Sequence, residues 1–221
     1  MASLQEIYNT LYEYFGPQHW WPGDSPLEIM VGAVLTQNTN WKNVSRAIAN
    51  LKEENLLSLA ALAALPEEEL AARIRPAGYY NIKAGRLKNL VHLVNEECNG
   101  SESLSDLLDQ DKESLQEKFL AVKGVGRETA DSIILYAAEK PVFVVDAYTY
   151  RILVRHALIP EEAGYGEIQE LFHDHLEEDV SLFNEYHALL VRLGKTFCKK
   201  QKPLCSSCPL GNHEPLLEEY L

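Results

Sequence analysis

No apolar run in the 221 residues approaches the roughly 18 needed to cross a bilayer as a helix, which argues against a membrane-spanning segment. The first residues, MASLQEIYNT, lack the pattern of a secretion signal, so the cytoplasm is the expected compartment. Basic residues are in deficit: 20 Lys and Arg against 33 Asp and Glu give a net charge of −13. That balance excludes a general nucleic-acid coating protein. Cysteine is scarce, and three of the four lie near the C-terminus. Such crowding suggests a metal or cluster site in a reducing compartment rather than a disulfide framework. Strand-like runs are nearly missing; only Pro141-Val142-Phe143-Val144-Val145 qualifies, and it reads as an extended connector. Repeats, low-complexity tracts and obvious linkers are absent as well.

What charge there is lies unevenly. Residues 71–95 hold Arg73, Arg75, Lys83, Arg86 and Lys88 with no acid. Residues 186–213 hold Arg192, Lys195, Lys199, Lys200 and Lys202, again with no acid. Residues 156–185 hold nine acids and neither Lys nor Arg. A solvated helix face explains any one such window. Two basic windows in so acidic a chain point to a local polyanion site.

The hydrophobic pattern is helical nearly throughout, and 46% hydrophobic content is enough for a sizeable core. Leu4, Ile7, Tyr8, Leu11, Tyr12 and Phe15 repeat at helical spacing until Gly16-Pro17. Ser25-Pro26-Leu27-Glu28 reads as a capping box with proline at the first helical position. Ile29 to Leu35 is apolar on every side, which predicts a buried central helix. Trp41, Val44, Ala47, Ile48 and Leu51 mark the next helix. Others are expected at about 55–63, 67–74, 82–97, 112–121, 127–138, 146–157, 166–176 and 182–197. The acid-rich stretch 96–117 reads as a loop and a solvated helix start. The fold class is all-α.

Between two of these helices stands Gly124-Val125-Gly126. Two glycines one residue apart suit a turn needing positive φ and close backbone approach. A helix beginning at Arg127 would aim unpaired N–H groups outward, which makes an anion site. A tight helix–helix turn is the plainer explanation, but Lys123 and Arg127 flank the glycines and Asp146 follows the extended connector.

Leu120-Ala121-Val122-Lys123-Gly124-Val125-Gly126-Arg127-Glu128-Thr129-Ala130 resembles the helix-hairpin-helix of the endonuclease III superfamily of DNA glycosylases. Val144-Val145-Asp146 resembles that superfamily's Gly/Pro-rich loop ending in its catalytic aspartate. Val34-Leu35-Thr36-Gln37-Asn38-Thr39 resembles the segment carrying a glutamine wedge, and Gly78-Tyr79-Tyr80-Asn81-Ile82-Lys83-Ala84 a second wedge loop. The resemblance spans most of the chain in the right order. It implies a two-lobed fold: residues 24–139 as a helical barrel lobe, and 1–23 plus 140–221 as a second lobe with the aspartate and a cysteine loop. The substrate cleft would lie between them. The implied partner is double-stranded DNA containing damaged bases, met by a monomer acting at a bacterial or archaeal nucleoid.

Position 128 narrows the resemblance. Glycosylase/AP lyases carry a lysine there, whose amine attacks C1′ to form a Schiff base. Glu128 cannot do so, and Lys123 lies before the hairpin rather than on the helix start. Trp20-Trp21-Pro22, Leu35 to Thr39, Arg75 to Asn81 and Lys123 to Asp131 are most similar to the 3-methyladenine DNA glycosylases of the superfamily. That likeness implies a base pocket of Trp20, Trp21, Pro22 and Trp41 with Glu128 at its mouth. N-alkylated purines are cationic, and an indole face attracts a cation by roughly 0.5–2 kcal/mol. For Trp41, on an apolar helical stripe, plain core packing is an equal alternative. The resemblance further implies that hairpin N–H groups of residues 124–128 hold a phosphate, with Lys83 meeting DNA nearby. Gln37 and Tyr79 would fill the gap in the duplex, and Asp146 would stabilise the sugar cation and orient water.

Cys198-x6-Cys205-x2-Cys208-Pro209-Leu210 resembles the superfamily's iron–sulfur loop, whose fourth cysteine would fall on Glu214. The chain departs from the pattern there. A [4Fe-4S] cluster with three thiolates and Glu214, His213 or solvent, a vestigial loop, or zinc on three thiolates and a histidine are the alternatives, the first being favoured. His173 and His175 read as surface histidines. Two rival functions stand beside the alkylpurine glycosylase: an endonuclease III-type pyrimidine glycosylase/lyase, and a non-catalytic helix-hairpin-helix DNA-binding module, against which Asp146 argues.

Overall fold

A computed structural model describes residues 3–101 and 103–211. Among them every regular element is helical: α1 (Leu4–Phe15), α2 (Pro26–Thr36), α3 (Trp41–Glu53), α4 (Leu59–Ala64), α5 (Glu67–Arg73), α6 (Tyr80–Glu97), α7 (Ser105–Leu108), α8 (Lys112–Ala121), α9 (Arg127–Tyr136), α10 (Ala147–Arg155), α11 (Tyr165–His175) and α12 (Val180–Thr196). The chain divides into two compact units. One joins the N-terminal residues through Trp20 to the residues from Pro141 onward; the other runs from Trp21 to Lys140.

In the Trp21–Lys140 unit, α2 is the central helix. Met30, Val31, Val34 and Leu35 are essentially fully buried on all its sides, and it packs against α3, α6 and α9. Burying each such side chain stabilises by about 1.5–3 kcal/mol. Ser25 caps α2, its hydroxyl accepting from the Glu28 N–H at 3.3 Å. The Glu28 carboxylate does not complete the capping box. It accepts from the Asp24 N–H at 3.1 Å and pairs with Lys52 at 2.8 Å.

The acid-rich stretch is more than loop. Leu104, Leu107 and Leu108, at helical spacing, are buried by the short α7. In the other unit α1 and α10 pack on α12. The buried Tyr186 hydroxyl of α12 donates to the Leu4 carbonyl at 2.8 Å, joining α12 to α1. Pro141–Val145 forms no regular element, and Val142 to Val145 are buried.

Candidate active site and DNA-contacting loops

Asp146 ends the extended connector and is the N-cap of α10. One carboxylate oxygen, Oδ1, accepts from the Tyr148 N–H at 2.9 Å, the Thr149 N–H at 2.7 Å and the Thr149 hydroxyl at 3.0 Å. The other oxygen lies 3.7 Å from Nε2 of His187, a residue of α12 that is itself buried. Burial would raise the Asp146 carboxyl. The facing His187 imidazole, with the Thr149 donors, outweighs that and holds it below the ordinary carboxylate value. Asp146 is therefore a carboxylate with one oxygen locked and the other facing an imidazole.

The connector that delivers Asp146 is fixed along its length. The Phe143 N–H donates to His173 Nε2 at 3.2 Å, the Phe143 carbonyl accepts from Gln169 at 2.7 Å, and the Val145 N–H donates to the Tyr165 hydroxyl at 3.4 Å. His173 is thus a buttress that also meets Glu178 at 2.8 Å, not the surface residue expected; His175 is exposed as expected. Nearby, the Lys195 ammonium stands over the rings of Trp20 at 5.9 Å and Tyr148 at 6.0 Å. Burial lowers the Lys195 pKa, against the opposing pull of Asp146. Gly194 permits the Tyr148 ring to lie against α12: a Cβ there would stand 2.3 Å from Tyr148 Cδ1. His187 and Lys195 are the residues that sequence reasoning missed.

In the Trp21–Lys140 unit, Trp21 lies edge-on to Trp41 with centroids 5.1 Å apart and tilted against Tyr136 at 5.2 Å. Gly32 makes the seat, since a Cβ there would be 3.1 Å from the indole. Both tryptophans are half-buried, Pro22 is exposed, and Glu128 is exposed in the first turn of α9. Trp20 belongs to the other unit, where Lys195 occupies one approach to its ring.

Of the two hairpin glycines only Gly124 takes the positive φ that the spacing suggested; Gly126 is extended, with φ of −100°. Gly124 has φ of +98°, and a Cβ there would lie 2.3 Å from Arg86 Cγ. Gly126 begins α9 without a side-chain cap. Lys123, Gly126 and Arg127 are exposed. Val125 is not a donor for phosphate: it is buried, and its N–H donates to the Val122 carbonyl at 3.0 Å.

Gln37 is folded onto the hairpin rather than standing clear. Its amide nitrogen donates to the Gly124 carbonyl at 3.1 Å and the Thr129 hydroxyl at 3.0 Å, and its oxygen accepts from Arg86 at 2.5 Å. Tyr79 is 68% exposed and holds a left-handed φ of +48°, a conformation uncommon for a residue with a side chain.

The basic window 71–95 does not form the expected polyanion face. Lys83 is 1% exposed, and its ammonium donates to the Leu35 and Ala77 carbonyls, each at 2.8 Å, so it cannot meet DNA. Lys88 donates to the Leu62, Ala63 and Leu65 carbonyls at the end of α4. Arg73 pairs with Glu54 and Glu69, and Arg75 lies over the Tyr80 ring. Helix C-terminal carbonyls attract cations, so the window is used largely within the fold.

At the cysteine loop, Arg155 donates to Cys198 Sγ at 3.3 Å and to the Lys199 and Lys200 carbonyls, while Arg151 donates to the Cys198 carbonyl at 2.8 Å. Burial raises the Cys208 thiol, with Cys198 and Cys205 adding to the rise. Among the described residues, no three Cys, His, Asp or Glu side chains are gathered closely enough to hold a metal ion. His213 and Glu214 lie outside the described residues. Cys98 is buried at the end of α6, in the Trp21–Lys140 unit.

A capping aspartate, a glycine hairpin and a helical fold coincide with one family model, the HhH-GPD superfamily of base excision DNA repair proteins, which matches residues 31–178. The chain belongs to that superfamily. A Methanocaldococcus jannaschii protein named as a DNA repair glycosylase is 47% identical over 207 residues, 94% of this chain and 93% of that one. Endonuclease III of Thermotoga maritima is 28% identical over 210 residues, 95% and 91% of the two chains. The crystal structure of the Helicobacter pylori 3-methyladenine DNA glycosylase bound to 1,N6-ethenoadenine superposes with a TM-score of 0.75 at 29% identity, covering 87% of this chain and 97% of that one. This protein is a base excision repair DNA glycosylase, an N-glycosyl hydrolase acting on DNA with damaged bases. No helix among its described residues is long and apolar enough to cross a membrane.

Proposed function

We propose that this glycosylase is monofunctional and excises alkylated, cationic purines. The observation that carries the reading is Glu128: the first turn of α9, beside the hairpin, presents a carboxylate where a lyase would need an amine. The Trp21–Trp41 pair, seated against Gly32 and Tyr136, supports an aromatic pocket. Such a pocket favours a cationic base over a neutral one.

In the proposed reaction Asp146 stays ionised and stabilises positive charge developing at C1′ as the N-glycosidic bond breaks. The base leaves with the bonding electrons, so a cationic purine departs neutral. A water oxygen then bonds C1′, its proton passing to Asp146 or to solvent. Exposed Lys123 and Arg127, with the N–H groups at Gly124, Gly126 and the start of α9, hold phosphate. Gln37 and Tyr79 fill the vacated duplex position, which requires Gln37 to leave its present partners.

Cys198, Cys205 and Cys208 of the C-terminal loop would hold a [4Fe-4S] cluster, with Glu214, His213 or solvent as the fourth ligand. Such a cluster would hold the loop and take no part in bond cleavage. Iron and acid-labile sulfide analysis of the purified protein tests it.

The decisive experiment is a panel of lesion-bearing duplexes incubated with the protein, with and without alkali. Release of 3-methyladenine or ethenoadenine, with strand breaks only after alkali, is expected. Faster release of oxidised pyrimidines would favour the endonuclease III-like alternative.

A further inference from the structure

Lys83 buries its ammonium group in the Trp21–Lys140 unit and hydrogen-bonds backbone carbonyls rather than an acid. Its two acceptors are the carbonyls of Leu35 and Ala77. Leu35 lies at the C-terminal end of α2, and Ala77 ends the 3-10 turn Arg75–Ala77. Each carbonyl stands two residues before a residue assigned to the DNA gap: Gln37 follows Leu35, and Tyr79 follows Ala77. One cation therefore grips the bases of both loops. Burial, and then the neighbouring Arg86, draw its pKa down to about 8. Ammonium burial is costly, and an apolar side chain would fill the same space at lower cost.

One turn along α6, Arg86 continues the arrangement. Its guanidinium donates to Gln37 Oε1, and its stem lies against Gly124, leaving no room for a side chain there. Asn89, a further turn on, donates to the Lys123 carbonyl at 2.9 Å. One face of α6 thus reaches the Gln37 loop, the Tyr79 loop and the hairpin in succession.

We propose that Lys83 is a positioning residue that sets the spacing of the Gln37 and Tyr79 loops for insertion into DNA, with Arg86 tying the first of those loops to the hairpin. This rests on the reading of Gln37 and Tyr79 as gap-filling residues. Lys83 touches no DNA itself. Its removal therefore leaves phosphate contacts intact and loosens the two loops relative to each other.

The probe is a duplex carrying a tetrahydrofuran abasic-site analogue opposite 2-aminopurine. Insertion of protein side chains into the gap unstacks the 2-aminopurine and raises its fluorescence, whatever lesion the enzyme prefers. For Lys83→Met, the fluorescence rise at saturating protein is expected to fall at least twofold. Its affinity for undamaged duplex and the salt dependence of that affinity should stay at wild-type values. Lys83→Gln, which fills much of the same space and keeps one donor, should also lower the amplitude, and it serves where Lys83→Met fails to fold. Full amplitude in the folded variants would overturn the proposal. So would a salt slope shallower by about 1 in Lys83→Met, since that would make it a phosphate contact. A Gln37→Ala/Tyr79→Ala protein that keeps the full fluorescence rise would instead refute the gap-filling reading, independently of Lys83.

Discussion

Asp146 and His187 meet through one oxygen only: Oδ2 faces the imidazole at 3.7 Å while Oδ1 is held by the first turn of α10. The cap fixes where the carboxylate is, and the histidine offsets the effect of burial on its charge. Removing His187 leaves the burial effect in place. In a His187→Asn protein the Asp146 pKa should rise, and the acidic limb of the kcat–pH profile should move to higher pH. Undamaged-duplex binding should be unchanged. An unmoved limb would mean that His187 does not influence the carboxylate.

Linkage gives the stability counterpart. The folded pKa of Asp146 is depressed, so the group stabilises the fold above its unfolded value, near 3.9, and that contribution is lost as pH falls through the folded value. Asp146→Asn keeps an N-cap acceptor and should fold normally. It should bind damaged duplex nearly as wild type while base release falls by at least ~100-fold, because the charge is needed in the transition state. Single-turnover release alongside binding measurements checks both halves. Near-wild-type turnover would remove Asp146 from the catalytic role.

In the proposed monofunctional reading, Glu128 rules out covalent chemistry at the helix start. Borohydride should trap no protein–DNA complex with the wild-type protein, and strand breaks should appear only after alkali or an added AP endonuclease. Glu128→Lys alone should give no efficient lyase, since a surface amine lacks the desolvation that lowers a lysine pKa. A trapped wild-type complex would contradict the monofunctional reading.

For the hairpin, Arg127→Ala should weaken binding to any duplex and make the salt-dependence slope shallower by about 1. Lys88→Met, which removes only bonds to the end of α4, should leave the slope alone and lower stability by about 1–3 kcal/mol. Slopes measured between 50 and 200 mM salt, with thermal melts, separate the two.

In the aromatic pocket, Trp41→Ala should slow release of 3-methyladenine far more than it weakens nonspecific binding, by roughly 5- to 30-fold for a lost cation–π contact of about 1–2 kcal/mol. A uniform loss across alkylated and neutral lesions would mark Trp41 as packing only. Trp20→Ala is complicated by Lys195, which already stands over that ring.

The helices were legible where local rules act. Periodic leucines gave α1, and an all-apolar run gave the buried α2. Even α7 carried its signal in Leu104, Leu107 and Leu108, although the surrounding acids suggested solvent. The aspartate and the hairpin stood out because glycine spacing and loop endings are local features. His187 did not, because a lone histidine on an apolar helical stripe looks like any core position. Lys83 and Lys88 were misread for a related reason: charge counts reveal a cation but not whether a carbonyl waits for it. Tyr79's left-handed backbone has no composition signal beyond the preceding Gly78.

The contact between Gly194 and Tyr148 has an evolutionary corollary. With 2.3 Å between a notional Cβ and the ring, neither position can drift alone. A side chain at 194 becomes admissible only after the aromatic at 148 has been exchanged for something smaller. That exchange would alter the residue whose backbone amide helps to anchor the Asp146 carboxylate and would remove one of the rings beneath Lys195. A lineage that loses this glycine should therefore be found with the surroundings of Asp146 rebuilt rather than with a single tolerated change.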